Sequence, residues 1–224
     1  MEKERHVLVI FPHPDDEAFG VSGTIASYVE SGTPVTYVCL TLGEMGRNLG
    51  NPPFATRESL PKIRRQELLN AAEVMGIQDL RMLGLRDKTV EFEDDEELTN
   101  KMSSFIDELN PSLIITFYPG YSVHPDHEAT GRAVVRAVER IAPDARPKLH
   151  CVAFANNSLQ ELGEPNIIND ISAVKDKKIA TMKAHRSQTE AMMASWSENA
   201  ENPDPAILAW IEKERFWTYK WPKP

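Results

Sequence analysis

Apolar residues follow two alternating rhythms along this chain. Short runs rich in Val, Ile and Leu recur at residues 6–11, 34–41, 79–83, 112–118, 148–155 and 167–171. Runs of that length read as strands, the first buried on both faces. Between them, apolar positions recur at helical spacing. Phe19, Ser22, Ile25, Ala26 and Val29 predict a helix over 18–31, and Ile63, Leu68, Ala71, Ala72 and Met75 one over 60–75. Further helices are expected over 96–109, 128–141, 173–193 and 206–213. The tail holding Phe216, Trp217, Tyr219 and Trp221 alternates like an edge strand. Strand–helix alternation through residue 141 predicts an α/β, Rossmann-like three-layer fold, with a mostly parallel sheet and helices on both faces. Neither a low-complexity linker nor a repeat interrupts it, so residues 1–224 read as one domain. The Gly-, Asn- and Pro-rich stretch 43–54 reads as a long loop, and such loops tend to be functional.

Composition narrows the class. With 41% hydrophobic residues the chain can bury a core without disulfides. Cys39 and Cys151, in apolar runs, read as buried thiols of a reducing compartment. The apolar run near the start is far too short for a signal-peptide core or a membrane span, so a soluble cytoplasmic protein is expected. Net charge is −9, and the acidic block 91–97 reads as a helix start. No basic patch interleaved with aromatics points to nucleic acid. Overall acidity does not exclude an anionic small molecule, because a few local arginines are enough to bind one.

Candidate chemistry sits at two strand ends. Pro12–His13–Pro14–Asp15–Asp16–Glu17 follows the first strand, and His124–Pro125–Asp126–His127 precedes the helix after the fourth. In open α/β sheets, loops beyond the carboxyl ends of strands converge on one crevice. Three His/Asp ligands with an open position make a catalytic zinc site. His13 and Asp16, three apart, can bend toward one point with Asp15 projecting between them, and His124 and His127 share that spacing. Either motif alone reads as a helix N-terminus capped by Asp; the two together favour a metal. His6 and His150 read as structural.

These motifs resemble the PIG-L/LmbE-like deacetylases. Thr41–Leu42–Gly43–Glu44–Met45–Gly46, Arg64–Arg65–Gln66–Glu67, Leu83–Gly84–Leu85–Arg86–Asp87 and His185–Arg186–Ser187–Gln188 match in the family's order. The whole chain is most similar to the second type of bacillithiol-biosynthesis deacetylase of bacilli. The resemblance implies hydrolysis of the acetamide of an N-acetylglucosaminyl compound, with N-acetylglucosaminyl-malate the expected substrate. It implies zinc, replaceable by iron(II), on His13, Asp16 and His127, with Asp15 as general base. His124, as an imidazolium, would stabilise the oxyanion or supply a proton. Asp126 would orient His124 or a ligand, or simply cap the helix. Glu44, Arg64 and Asp87 would contact the sugar or its aglycone; the bland alternatives are a surface salt bridge for Arg64 and a turn residue for Asp87. Arg47 is a further anion candidate, and His185, Ser187 and Gln188 would line a back wall. The aromatic tail reads as packing, with any exposed part serving a homo-oligomer interface.

The competing expectations are a deacetylase of other N-acetylated sugars, such as chito-oligosaccharides, and a non-catalytic metal- or nucleotide-binding module. The second is weakened because PHPDDE stands where a G-x-G-x-x-G would be.

Overall fold

The computed structural model of the protein describes residues 1–198 and 204–221. In chain order its elements are β1 (Val7–Phe11), α1 (Asp16–Gly20), α2 (Ser22–Glu30), β2 (Val35–Thr41), α3 (Leu60–Met75) and β3 (Asp79–Leu85). Then come α4 (Asp95–Leu109), β4 (Leu113–Phe117), α5 (Pro125–Glu139), β5 (Lys148–Val152), α6 (Ser158–Leu162) and β6 (Ile167–Asp170). The last are α7 (Lys175–Ala184), α8 (Arg186–Glu198), α9 (Pro205–Glu212) and β7 (Lys213–Thr218).

A seven-stranded sheet runs in the order β3-β2-β1-β4-β5-β7-β6. The first five strands pair in parallel, and β7 pairs antiparallel with β5 and β6. Alternate residues of the central strands feed two separate cores, as strand periodicity requires. Leu8, Ile10, Val38, Leu40 and Ile114 pack under α4 and α5, through Met102, Ile106, Val134 and Val138. Val7, Val9, Tyr37, Cys39 and Ile115 pack under α2 and α3, through Ile25, Leu68, Ala71 and Met75. Both cysteines are free and buried. From β1 the chain winds outward to β3 and then returns to place β4 on the other side. The strand order therefore reverses between β1 and β4, and the crevice of such a sheet opens at their carboxyl ends.

Three expectations are corrected. The tail strand is not an edge: β7 lies between β5 and β6, which buries Phe216 and Trp217 and leaves β6 outermost. The helix expected over 18–31 breaks at Val21 (φ −146°, ψ 4°) into α1 and α2. At that break the Glu214 carboxylate, arriving from β7, accepts from the N–H groups of Gly23 (3.1 Å) and Thr24 (2.7 Å) and so caps α2 from a distant strand. The helix expected over 173–193 breaks at His185 into α7 and α8. The acidic block behaves as expected: Asp94 caps α4, accepting from Glu96 and Glu97 N–H at 2.9 Å. Among the described residues, no helix is long and apolar enough to cross a membrane.

Candidate active site

Both motifs reach the crevice because their local structures aim them there. His124, in extended conformation, caps α5, and Pro125 opens the helix with its φ already suited to that position. His127 then follows one turn on, so the two imidazoles share a face. On the other strand end, Asp16 Oδ2 accepts from the His13 backbone N–H at 2.8 Å, folding its carboxylate back toward the His13 ring.

Donor atoms of three side chains converge. His13 Nδ1 lies 3.1 Å from His127 Nε2 and 3.4 Å from Asp16 Oδ2, and His127 Nε2 lies 3.2 Å from Asp16 Oδ1. Ligands about 2.0–2.1 Å from a tetrahedral zinc stand about 3.3 Å apart, so the trio has the right span. The outer hydrogen bonds set the tautomers. His127 Nδ1 faces the Ser122 carbonyl at 3.1 Å and donates to it. His13 Nε2 faces Asp126 Oδ2 at 3.1 Å and Asp87 Oδ1 at 3.2 Å. Both rings therefore turn a lone pair toward the same point beside a carboxylate, a donor set that fits a divalent cation. The surrounding carboxylates favour positive charge here: although burial opposes it, Asp16, Asp126 and Asp87 hold the His13 pKa well above its usual value, so a proton competes with a cation for this point. Burial likewise opposes ionisation of Asp16, but His127 and His13 hold its carboxyl low. Phe117 stacks on the His127 ring, centroids 4.1 Å apart, and limits its rotation.

Two other groupings bring potential ligand atoms together, His13–His124–His127 and His13–Asp87–Asp126. In the second, the His13 nitrogen already serves both carboxylates, and Asp126 is filled by the amides of Lys88 (2.7 Å) and Val90 (3.1 Å). In the first, His124 Nδ1 accepts the Asp126 N–H at 3.2 Å, which leaves its proton on Nε2. That geometry favours a neutral donor over the expected imidazolium, and burial, with His13 and His127 nearby, depresses its pKa. It also makes His124, rather than Asp126, the cap of α5; Asp126 orients His13 from the other motif.

Asp15 stands at the start of α1 with φ 108°, a left-handed conformation rare outside glycine. Its carboxylate meets Arg64 at 3.0 Å. Burial raises its pKa to about 6, against the pull of Arg64. Arg64 is no surface residue. It is 3% exposed, donates to the carbonyls of Gly43 (2.7 Å) and Pro14, and leaves only Nε unpaired. A Cβ on Gly43 (φ +61°) would stand 2.0 Å from this guanidinium, so glycine is needed there. Asp87 Oδ2 accepts from Met45 N–H at 2.8 Å. Glu44 Oε1 accepts from Asp87 N–H at 3.1 Å, while its Oε2 is buried without a partner.

A cavity of about 320 Å³ joins these groups, lined by His13, Asp15, Asp16, Arg64, Asp87 and His124 with Met45, Gly46, Arg47, Lys88, His127 and Gln188. Glu44 stands behind this wall. A second cavity, of about 410 Å³, lies at the opposite ends of β1–β3. There His6 Nε2 meets Thr36 Oγ1 at 2.9 Å and Thr36 donates to Asp79, which spends these groups on one another.

Sequence reasoning gave no role to Glu17. It is fully buried; Oε2 accepts from Asp15 N–H (3.1 Å) and Tyr37 O–H (2.9 Å), and Oε1 pairs with His185 Nε2. The signal was an acid in the first turn of a helix beside apolar Ala18 and Phe19. His185 thus stands behind Asp15, linked to it through Glu17, Ser187 binds Glu67 instead, and only Gln188 of that motif reaches the cavity. Burial opposes charge on His185, but Glu17 and Asp15 raise its pKa above the usual 6.5. A raised histidine contributes stability that is complete below about pH 6.5 and is lost as pH rises through the folded-state pKa. Glu17→Gln is therefore expected to destabilise by about 1–3 kcal/mol in acid, and by less as pH rises past that point. Urea denaturation at pH 6 and pH 9 checks this, and a pH-independent difference would remove the ion pair from the account.

Comparison with known proteins places the chain in a family. Residues 8–138 match the PIG-L model, described as GlcNAc-PI de-N-acetylase. A Bacillus cereus protein named probable N-acetyl-alpha-D-glucosaminyl L-malate deacetylase 2 is 56% identical, over 97% of this chain and 99% of its own. The diacetylchitobiose deacetylase of Thermococcus kodakarensis is 30% identical over 82% of this chain and 70% of its own. The structure of N,N'-diacetylchitobiose deacetylase from Pyrococcus horikoshii superposes with a TM-score of 0.74 at 23% identity, covering 96% of this chain and 84% of that one. That likeness shows the fold, while the sequence matches carry the kinship. The chain belongs to the PIG-L family of GlcNAc-PI de-N-acetylases.

Proposed function

We propose that this protein is a zinc-dependent deacetylase that hydrolyses the acetamide of N-acetylglucosaminyl-L-malate, releasing acetate and the free amine. The observation carrying the reading is the convergence of His13 Nδ1, Asp16 and His127 Nε2 beside Asp15 and His124 in one cavity. Near-complete coverage at 56% identity favours the malate conjugate over chito-oligosaccharides. His13, Asp16 and His127 would hold the zinc, which would supply Lewis acidity to activate a water and polarise the substrate carbonyl. Asp15, aligned by Arg64 from one side and by Glu17 through its backbone, accepts the attacking water's proton and passes it to the departing nitrogen as the C–N bond breaks. His124 Nε2–H donates to the developing oxyanion. Asp126 and Asp87 keep the His13 proton on Nε2, so Nδ1 stays a ligand. Glu44 acts through the wall, accepting from the Asp87 N–H and so holding Asp87 at the cavity.

The test incubates metal-loaded protein with the malate conjugate, diacetylchitobiose and a methyl N-acetylglucosaminide, and measures free amine. Fastest release from the malate conjugate is expected. Faster release from diacetylchitobiose would move the substrate assignment, and no amine from any of them would revive the binding-module alternative.

A further inference from the structure

We propose that Arg47 and Lys88 form a subsite for the carboxylates of the aglycone, a role that Arg64 does not fill; this rests on the deacetylase reading above. Charge in the cavity wall argues for it. Asp15 is engaged by Arg64, Asp16 by two histidines, and Asp87 by His13 and the Met45 amide. Arg64 spends its terminal nitrogens on Asp15 and two backbone carbonyls. Arg47 and Lys88 are the remaining long cations of the lining, and both are exposed toward solvent. Neither side-chain charge has an ion-pair or hydrogen-bond partner among the described residues.

Their free charges are carried on fixed backbone. Lys88 adopts φ 64°, and its N–H is held by Asp126 Oδ2 at 2.7 Å, the same oxygen that meets His13. Arg47 sits between pinned neighbours. Met45 N–H is held by Asp87 (2.8 Å) and Gly46 O by Arg57 (2.5 Å). Asn48 exchanges hydrogen bonds with Gln188, at 3.1 and 3.0 Å. Asp87 joins the two cations, since it precedes Lys88 in the chain and binds the segment carrying Arg47. Two cations on one wall suit a dicarboxylate, the guanidinium taking one group through two parallel hydrogen bonds and the ammonium the other as a point charge. In a chain of net charge −9, an anionic ligand needs such local compensation.

The test measures calorimetric binding of glucosaminyl-L-malate, methyl glucosaminide and glucosamine 1-phosphate to the metal-loaded protein, with and without Arg47→Ala/Lys88→Ala. Wild type is expected to prefer the malate conjugate over the methyl glycoside by roughly ten- to a hundredfold. The double variant is expected to erase that preference. A preference left intact, or equal losses for both glycosides, overturns the proposal. An equal advantage for the phosphate overturns the carboxylate assignment. Binding needs no turnover, so failure of the deacetylase reading appears separately, as absent amine release from the N-acetylated conjugate.

Discussion

Asp15→Asn is expected to lower turnover by roughly 10²–10⁴-fold while metal stays near one per chain. Asparagine keeps the size and shape of the side chain, and it is among the few residues that tolerate the left-handed backbone of this position. The Glu17 bond to the residue-15 amide also survives, because it uses the backbone. What disappears is the ability to take a proton. Pre-steady-state amine release with elemental analysis of the same sample checks both halves. A kcat near wild type would sink the mechanism, whereas lost metal would mean that the roles of Asp15 and Asp16 are exchanged.

His127→Ala is expected to remove metal, and with it activity, while Asp126→Asn only weakens binding. His127 contributes one of three converging donors, and the stacked Phe117 ring offers no replacement. Asp126 acts at one remove, by holding the proton on His13 Nε2, and loss of such an outer partner costs about 10–100-fold in affinity. Competition with a chelator, read as metal bound per chain, separates the two. His127→Ala protein that still holds metal as tightly as wild type would refute the ligand set. Equal losses in both variants would place Asp126 among the direct ligands.

The contrast between these residues shows where sequence reasoning stops. The two His/Asp clusters were legible as neighbours because both motifs follow strands whose carboxyl ends share one sheet edge, whereas the choice of His13, Asp16 and His127 among them came from the family resemblance. Arg64 was legible as a functional candidate, but its helical position suggested an exposed cation. Its burial depends on the close approach of Gly43 and Pro14, which lie 21 and 50 residues away. Glu17 stood inside the motif and was passed over: its apolar neighbours hint that it turns inward, but nothing local names its partner, a histidine 168 residues later.

Hydrophobic periodicity by itself determined the strands, most helices and the three-layer α/β class, because burying one face per element is a local demand on spacing. Motif chemistry determined the metal hypothesis for the same reason. Tertiary structure alone decided the breaks at Val21 and His185, where Glu214 and Glu17 supply partners from elsewhere in the chain. It alone placed β7 inside the sheet and paired Asp126 with His13. Each of these is set by a hydrogen-bonding group brought from a remote segment, and the residues flanking a position do not encode that proximity.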